Sequence, residues 1–151
     1  MGLYFEDFVV GAVYRHQFTR TVAEYDNVLF TSLTMNFQPL HLDEEFSKGT
    51  VHGQRIVNSL FTLGLIVSFQ VPDLTLGTTL GNLGYEEVRF PHPVFHGDTL
   101  HAQSTVLAKR SSRSRPDAGV VTLLHEGFNQ KDELICSCRR FALMAVRPVG
   151  S

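Results

Sequence analysis

The chain has 151 residues, 43% of them hydrophobic, a formal net charge of −2 and a sequence pI of about 6.4. One domain of about 100–200 residues accounts for that length and leaves no room for a second, so a single domain over 1–151 is expected. The charge excludes a general nucleic-acid binder, which shows a basic domain or stripe, and bulk attraction to anionic membranes.

Met1–Asp7 lacks the basic start and apolar core of a signal peptide. A short strand is expected near Val13–Phe18. Thr21-Val22-Ala23-Glu24 reads as a capping box, with Thr21 at the N-cap and Glu24 three residues on. Val22, Tyr25, Leu29 and Leu33 follow at helical spacing, which predicts a helix over about 22–34 with these residues on its apolar face. The segment 34–39 breaks it, and Pro39 biases Gln38 toward an extended backbone. Asp43–Phe46 suits one helical turn.

Residues 56–69 are apolar on almost every side and end at Pro72, which predicts a buried core helix with Asn58 or Ser59 as its cap. That helix, like every other apolar run, falls short of the ~18–20 residues that span a membrane. The remainder reads as strands: 78–83, 85–90, 99–109, 120–129 and 134–146. Polar turns separate them, and the longest, 110–118, carries Arg113 and Arg115. Cys136 and Cys138 stand at i,i+2 in the last strand, where a disulfide would distort the backbone. They read as reduced thiols, which fits a cytoplasmic protein. No second Cys/His pair stands at ligand spacing, so no metal site is expected.

This order is α+β. An apolar helix wrapped by a curved antiparallel sheet satisfies it. Such a sheet leaves an edge strand, and pairing edges across a two-fold axis removes it, so a homodimer is expected.

The densest polar cluster is Asn36-Phe37-Gln38-Pro39-Leu40-His41-Leu42-Asp43. A loop histidine beside a carboxylate is a candidate acid/base because its reference pKa is near neutrality. The same residues also suit a histidine that caps a helix or satisfies backbone groups. Among the other histidines, His52 suits the wall of a pocket, His92 and His96 suit structural or surface roles, and nothing marks His16, His101 or His125 as ligands.

The run Phe30–Phe46 resembles the hydratase motif of MaoC-like dehydratases, the (R)-specific enoyl-CoA hydratases, whose pattern is Asp-x-Asn-Pro-x-His-x-Asp. Tyr4–Gly11 resembles the opening of that family, Gly53–Leu60 its approach to the central helix, and Phe90–Leu100 its strand start with the pattern Pro-Val-x-x-Gly-Asp-Thr-Leu. The four blocks occur in family order along nearly the whole chain. The resemblance implies a hotdog domain that adds water to, or removes it from, an enoyl-CoA thioester. It places His41 as the catalytic histidine. It also places the backbone N–H of Ser59, at the start of the central helix, as the group that polarises the thioester carbonyl. CoA is then part of the substrate, and no metal or redox cofactor is called for.

Two positions depart from the family. Asn36 stands where the family has its catalytic Asp, and Asn58 where it has a second His. An amide is no base near neutral pH, but it orients water by donating and accepting hydrogen bonds. Three readings stand open: His41 as the only acid/base with Asn36 placing water, a carboxylate supplied by Asp43 or by the substrate, and a domain that only binds acyl-CoA. The variant motif, with Val71–Thr78 and Ser112–Asp117, resembles the subgroup of mesaconyl-CoA hydratases (β-methylmalyl-CoA dehydratases) and itaconyl-CoA hydratases.

A branched dicarboxylic substrate needs a cation in the pocket, and CoA phosphates need others. The planar guanidinium fork suits both. Arg55 is the expected pocket residue, with Arg113 and Arg115 for phosphate. Phe37, Gln38 and Asn58 complete the substrate-binding set. The rival readings are a hotdog acyl-CoA thioesterase and a noncatalytic acyl-CoA-binding module.

Overall fold

Three long strands, β4 (Thr99–Ser111), β5 (Ala118–Phe128) and β6 (Leu134–Ala145), form the centre of one antiparallel sheet. The computed structural model describes residues 1–148. The domain expected over 1–151 therefore extends onto 149–151, which lie outside the described residues. β1 (Val13–Arg15) flanks β4 and β3 (Thr79–Arg89) flanks β6, giving the order β1-β4-β5-β6-β3, with β2 (Arg20–Thr21) pairing separately with β4. β3 was expected as two strands. It runs as one, with register shifts that include the stretch around Gly84, the residue between the two expected strands, whose φ is 148°.

Burial alternates along β4 and β6, as a strand period of two requires. The inward side chains meet helix α4 (Ser59–Ser68), which lies against β4, β5 and β6. Ile66 is fully buried there. A Cβ on Gly127 would stand 2.3 Å from Ile66 Cδ1, so the missing side chain is what lets helix and sheet approach. Val22, Val57, Phe69, Val94 and Leu100 surround the contact. A second cluster beyond the helix joins Phe8, Leu74, Val106 and Leu123. Cys136 and Cys138 are free thiols, fully buried on the inward face.

Two further expectations change. Helix α4 is not buried all round: Leu60 is 60% exposed, because the sheet meets only one side of the helix. Helix α1 runs over Glu24–Leu33, not from residue 22, and Thr21 belongs to β2, bonded through Oγ1 to Thr99 Oγ1 at 2.7 Å. Its apolar stripe of Tyr25, Leu29 and Leu33 faces outward, and its buried residues are Asp26, Asn27 and Thr31. Hydrogen bonds explain the inversion: Asp26 accepts from the Ala23 N–H, Thr31 donates to the Asn27 carbonyl, and Asn27 bonds across to the next segments.

A row of polar side chains crosses the inner face of the sheet. Asp73 Oδ2 stands 2.9 Å from His16 Nδ1, His16 Nε2 stands 2.8 Å from Ser104 Oγ, and that oxygen stands 2.7 Å from His125 Nδ1. The first three have the spacing of an Asp-His-Ser triad. Ser104 is fully buried, which denies its hydroxyl any substrate. Burial pushes the His125 imidazole down to about 3, with Arg140 and His16 adding repulsion.

Candidate active site

The loop expected at 34–43 contains a short helix, α2 (Pro39–Leu42), followed by α3 (Glu44–Lys48). Proline sits at the first position of α2, where its missing N–H costs nothing. Gln38 before it is extended, as expected. The Asp43 side chain caps α3 by accepting from the Phe46 N–H at 2.9 Å. Upstream, Met35 takes a φ of 56° after the last turn of α1, and the Asn36 N–H returns to the Thr31 carbonyl at 2.9 Å. That left-handed residue aims the motif back across the molecule.

The motif docks on the segment leading into α4. His41 Nδ1 stands 2.8 Å from the Ile56 carbonyl oxygen. A carbonyl only accepts, so Nδ1 carries the hydrogen in the neutral ring and the Nε2 lone pair is left for chemistry. Three residues on, Ser59 begins α4. The first N–H groups of a helix have no intrahelical partner and sit at the positive end of its dipole. Of the two expected caps, Asn58 is the one that caps the helix, by accepting the Leu60 N–H at 2.9 Å. Ser59 is exposed and lines a cleft of about 290 Å³ with His52, Ile56, Thr62, Phe90 and His92. The expected role of His52 as pocket lining therefore matches its place. His92, read as structural, also faces the cleft and donates from Nδ1 to the Leu134 carbonyl at 3.0 Å. A separate recess of about 410 Å³ around Arg15, His101, Gln103 and Phe128 shares no residue with this cleft.

Asn36 is half-buried, and its Oδ1 accepts from the Gln38 N–H at 3.2 Å, a local turn that orients the carboxamide. Among the described residues, no hydrogen bond joins Asn36 to His41. Phe37 is 69% exposed and Gln38 is exposed.

The arginines divide. Arg55 is half-buried and already paired twice: Nε to Glu44 at 2.7 Å and Nη1 to Glu24 at 2.8 Å, which raises its pKa. Arg113 and Arg115 stand in the β4–β5 loop, and Arg115 grips Asp117 through Nη2 at 2.7 Å. The Ser59 end of the site bonds instead to the segment before β4, through Val57 N–H to Val94 O at 2.8 Å. Roughly 40 Å of β4, at ~3.3 Å per residue, separates the two ends, so one copy does not bring these arginines to its own Ser59.

One residue escaped the sequence reading, and His96, read as structural or surface, proves to be its partner. Asn27 is fully buried within bonding distance of the His41 loop, Ile56 and Asn58. His96 faces Asn27 through Nε2 at 3.0 Å, and burial, then Arg55, holds its pKa below the usual value. Asn27 sits between Asp26 and Val28 on a helix whose stripe pattern marks it as solvent-facing. No local signal separates it from a surface asparagine.

A curved sheet holding one helix, with a histidine loop docked at that helix's N-terminus, defines a hotdog domain. The same fold is found in a Mycobacterium tuberculosis protein described as a double hotdog fold (TM-score 0.88, 21% identity, 99% of this chain, 46% of that one). The family described as MaoC like domain matches residues 7–127, and the chain belongs to it. It is 34% identical over 150 residues to the mesaconyl-CoA hydratase of Cereibacter sphaeroides, covering 99% of this chain and 43% of that protein. It is 33% identical over 107 residues to the (R)-specific enoyl-CoA hydratase of Rhodospirillum rubrum, covering 68% and 69%. The chain thus spans about two-fifths of the mesaconyl-CoA hydratase it matches.

Proposed function

We propose that the protein is a hydro-lyase that adds water across the double bond of an enoyl-CoA, or removes it, and that the acyl group is a branched dicarboxylic one of the mesaconyl-CoA or itaconyl-CoA type. The observation that carries the reading is the His41 ring, held through Nδ1 on the carbonyl three residues before Ser59. That bond leaves the Nε2 lone pair and the first N–H groups of α4 on adjoining pieces of chain. In hydration, His41 Nε2 takes a proton from water as the water oxygen bonds to the β-carbon. The double-bond electrons move onto the thioester oxygen, where the Ser59 N–H and the helix dipole stabilise the charge. The proton then passes to the α-carbon, and His41 is neutral again. Asn36 holds the water by its amide.

The matched mesaconyl-CoA hydratase supports the dicarboxylic assignment. In this reading Arg55 exchanges Glu44 for a substrate carboxylate. Arg113 and Arg115 bind CoA phosphate for the site of a second copy. β3 is the long edge strand of the sheet, opposite the short β1, with Leu80, Leu83, Tyr85, Val88 and Phe90 exposed along and just past it. Pairing two such edges makes the homodimer. The reading calls for no cofactor besides the CoA of the substrate.

The test is a panel of crotonyl-, mesaconyl- and itaconyl-CoA, followed by loss of the enoyl-thioester absorbance. Wild type is expected to prefer a dicarboxylic substrate, and His41→Ala to lose about 10²–10⁴-fold in kcat. A preference for crotonyl-CoA removes the dicarboxylic assignment. Thiol release without hydration makes the protein a thioesterase. Asn36 favours one further reading, a noncatalytic acyl-CoA-binding module, which tight binding without turnover of any substrate would establish.

A further inference from the structure

The Asn27 carboxamide is fully buried, and its bonding partners belong to the segments that build the site. Its Oδ1 accepts the N–H of Asn58 at 2.9 Å, the peptide next to Ser59. Because that backbone N–H only donates, the oxygen and nitrogen of the amide are assigned without ambiguity. Nδ2 then stands 3.0 Å from the Ile56 carbonyl, 3.2 Å from the His41 carbonyl and 3.0 Å from His96 Nε2. Two hydrogens serve three acceptors, so one is shared. The Ile56 carbonyl is the atom that holds the His41 ring, and its two lone pairs are taken by Asn27 and His41.

We propose that Asn27 is a positioning residue: one carboxamide fixes the peptide carbonyl that orients the His41 imidazole and the peptide that leads into the Ser59 N–H. This rests on the roles given above to His41 and Ser59. Removing the carboxamide donors frees the Ile56 carbonyl to rotate, and both the base and the carbonyl-polarising N–H lose their mutual register. Side chains of other chemistry do not serve. An aspartate carboxylate places an oxygen against two carbonyl oxygens, and a glutamine adds a methylene in a site with no exposure.

The diagnostic variant is Asn27→Asp, which keeps the volume and inverts the hydrogen-bond polarity. With the enoyl-CoA that wild type hydrates fastest, kcat is expected to fall about 100-fold while KM stays within about threefold, the mark of lost geometry rather than lost binding. The ratio of variant to wild-type kcat should rise as pH falls, because protonation returns one donor to the new side chain. A purely structural role does not produce that rise.

Nitrogen-15 spectra of histidine-labelled protein supply a readout without turnover. His41 is expected as the Nδ1–H tautomer in wild type and as a tautomer mixture in the variant. A folded Asn27→Asp with kcat within about twofold of wild type overturns the proposal. So does an Nε2–H tautomer for His41 in wild type, a measurement that stands even where the variant does not fold. Should wild type hydrate no enoyl-CoA, the functional reading fails by itself. An unchanged His41 tautomer in the variant would then refute the positioning role separately.

Discussion

At the scale of single residues, Asn36 stands where the resemblance to the hydratase motif implies a carboxylate. The Asn36 Oδ1 bond to the Gln38 N–H needs only an acceptor, and a carboxylate supplies one. Asn36→Asp is therefore expected to fold and to keep measurable hydratase activity on a wider set of simple enoyl-CoAs. Complete loss in a folded variant, read by the same absorbance assay, would make the amide itself a requirement. A second prediction concerns His125. An unfolded imidazole titrates near its ordinary value of 6.5, whereas burial pushes this one down to about 3. The unfolded chain thus binds more protons through that window. Stability falls as pH drops from about 6.5 toward 3, by roughly 3–6 kcal/mol over the whole window at ~1.4 kcal/mol per unit. Urea midpoints at pH near 7.5 and near 5 should show the loss, and His125→Gln should flatten it.

At the scale of elements, the register of α4 on the sheet depends on a missing side chain. Gly127→Ala drives a methyl into Ile66 and is expected to destabilise by about 1–3 kcal/mol. Adding Ile66→Ala should recover part of that, so that thermal or urea unfolding of the two single variants and the double variant gives a non-additive cycle. How far such elements were legible depends on where their signals lie. Strands β4, β5 and β6 and the Asn58 cap were read correctly because alternation, turn residues and caps are local. Helix α1 was read with the wrong face inward. Periodicity reports which side is apolar, and here tertiary hydrogen bonds from Asp26, Asn27 and Thr31 decide which side is buried. The motif pointed to His41, and the structure docks its ring on the segment that leads into α4. Its orienting carbonyl was not legible, because Ile56 lies 15 positions away and shows nothing but an aliphatic side chain.

At the scale of the whole molecule, the modest charge of −2 hides a separation. Arg113 and Arg115 stand at one end of the sheet and the His41 loop at the other, an arrangement that no composition reports. In the two-copy assembly proposed above, a single chain supplies basic side chains to one site and acid/base groups to another. No helix among the described residues is long and apolar enough to cross a membrane. The hotdog domain instead places its apolar mass between α4 and the sheet.

The thiols of Cys136 and Cys138 lie within that mass, with burial pushing them up to about 12 and about 11. A soluble alkylating reagent reacts with thiolate, and the folded protein offers it neither access nor charge. Both sulfurs therefore act as a clock for the opening of β6. With iodoacetamide in excess, the labelling rate of the native protein is expected to follow the fraction of molecules in which that strand has come away. It should rise with urea and fall when acyl-CoA is added. Rapid labelling of both cysteines in native buffer would contradict the burial seen here. The protein thus carries its own stability probe, and a destabilised variant such as Gly127→Ala can be ranked against wild type by mass spectrometry alone.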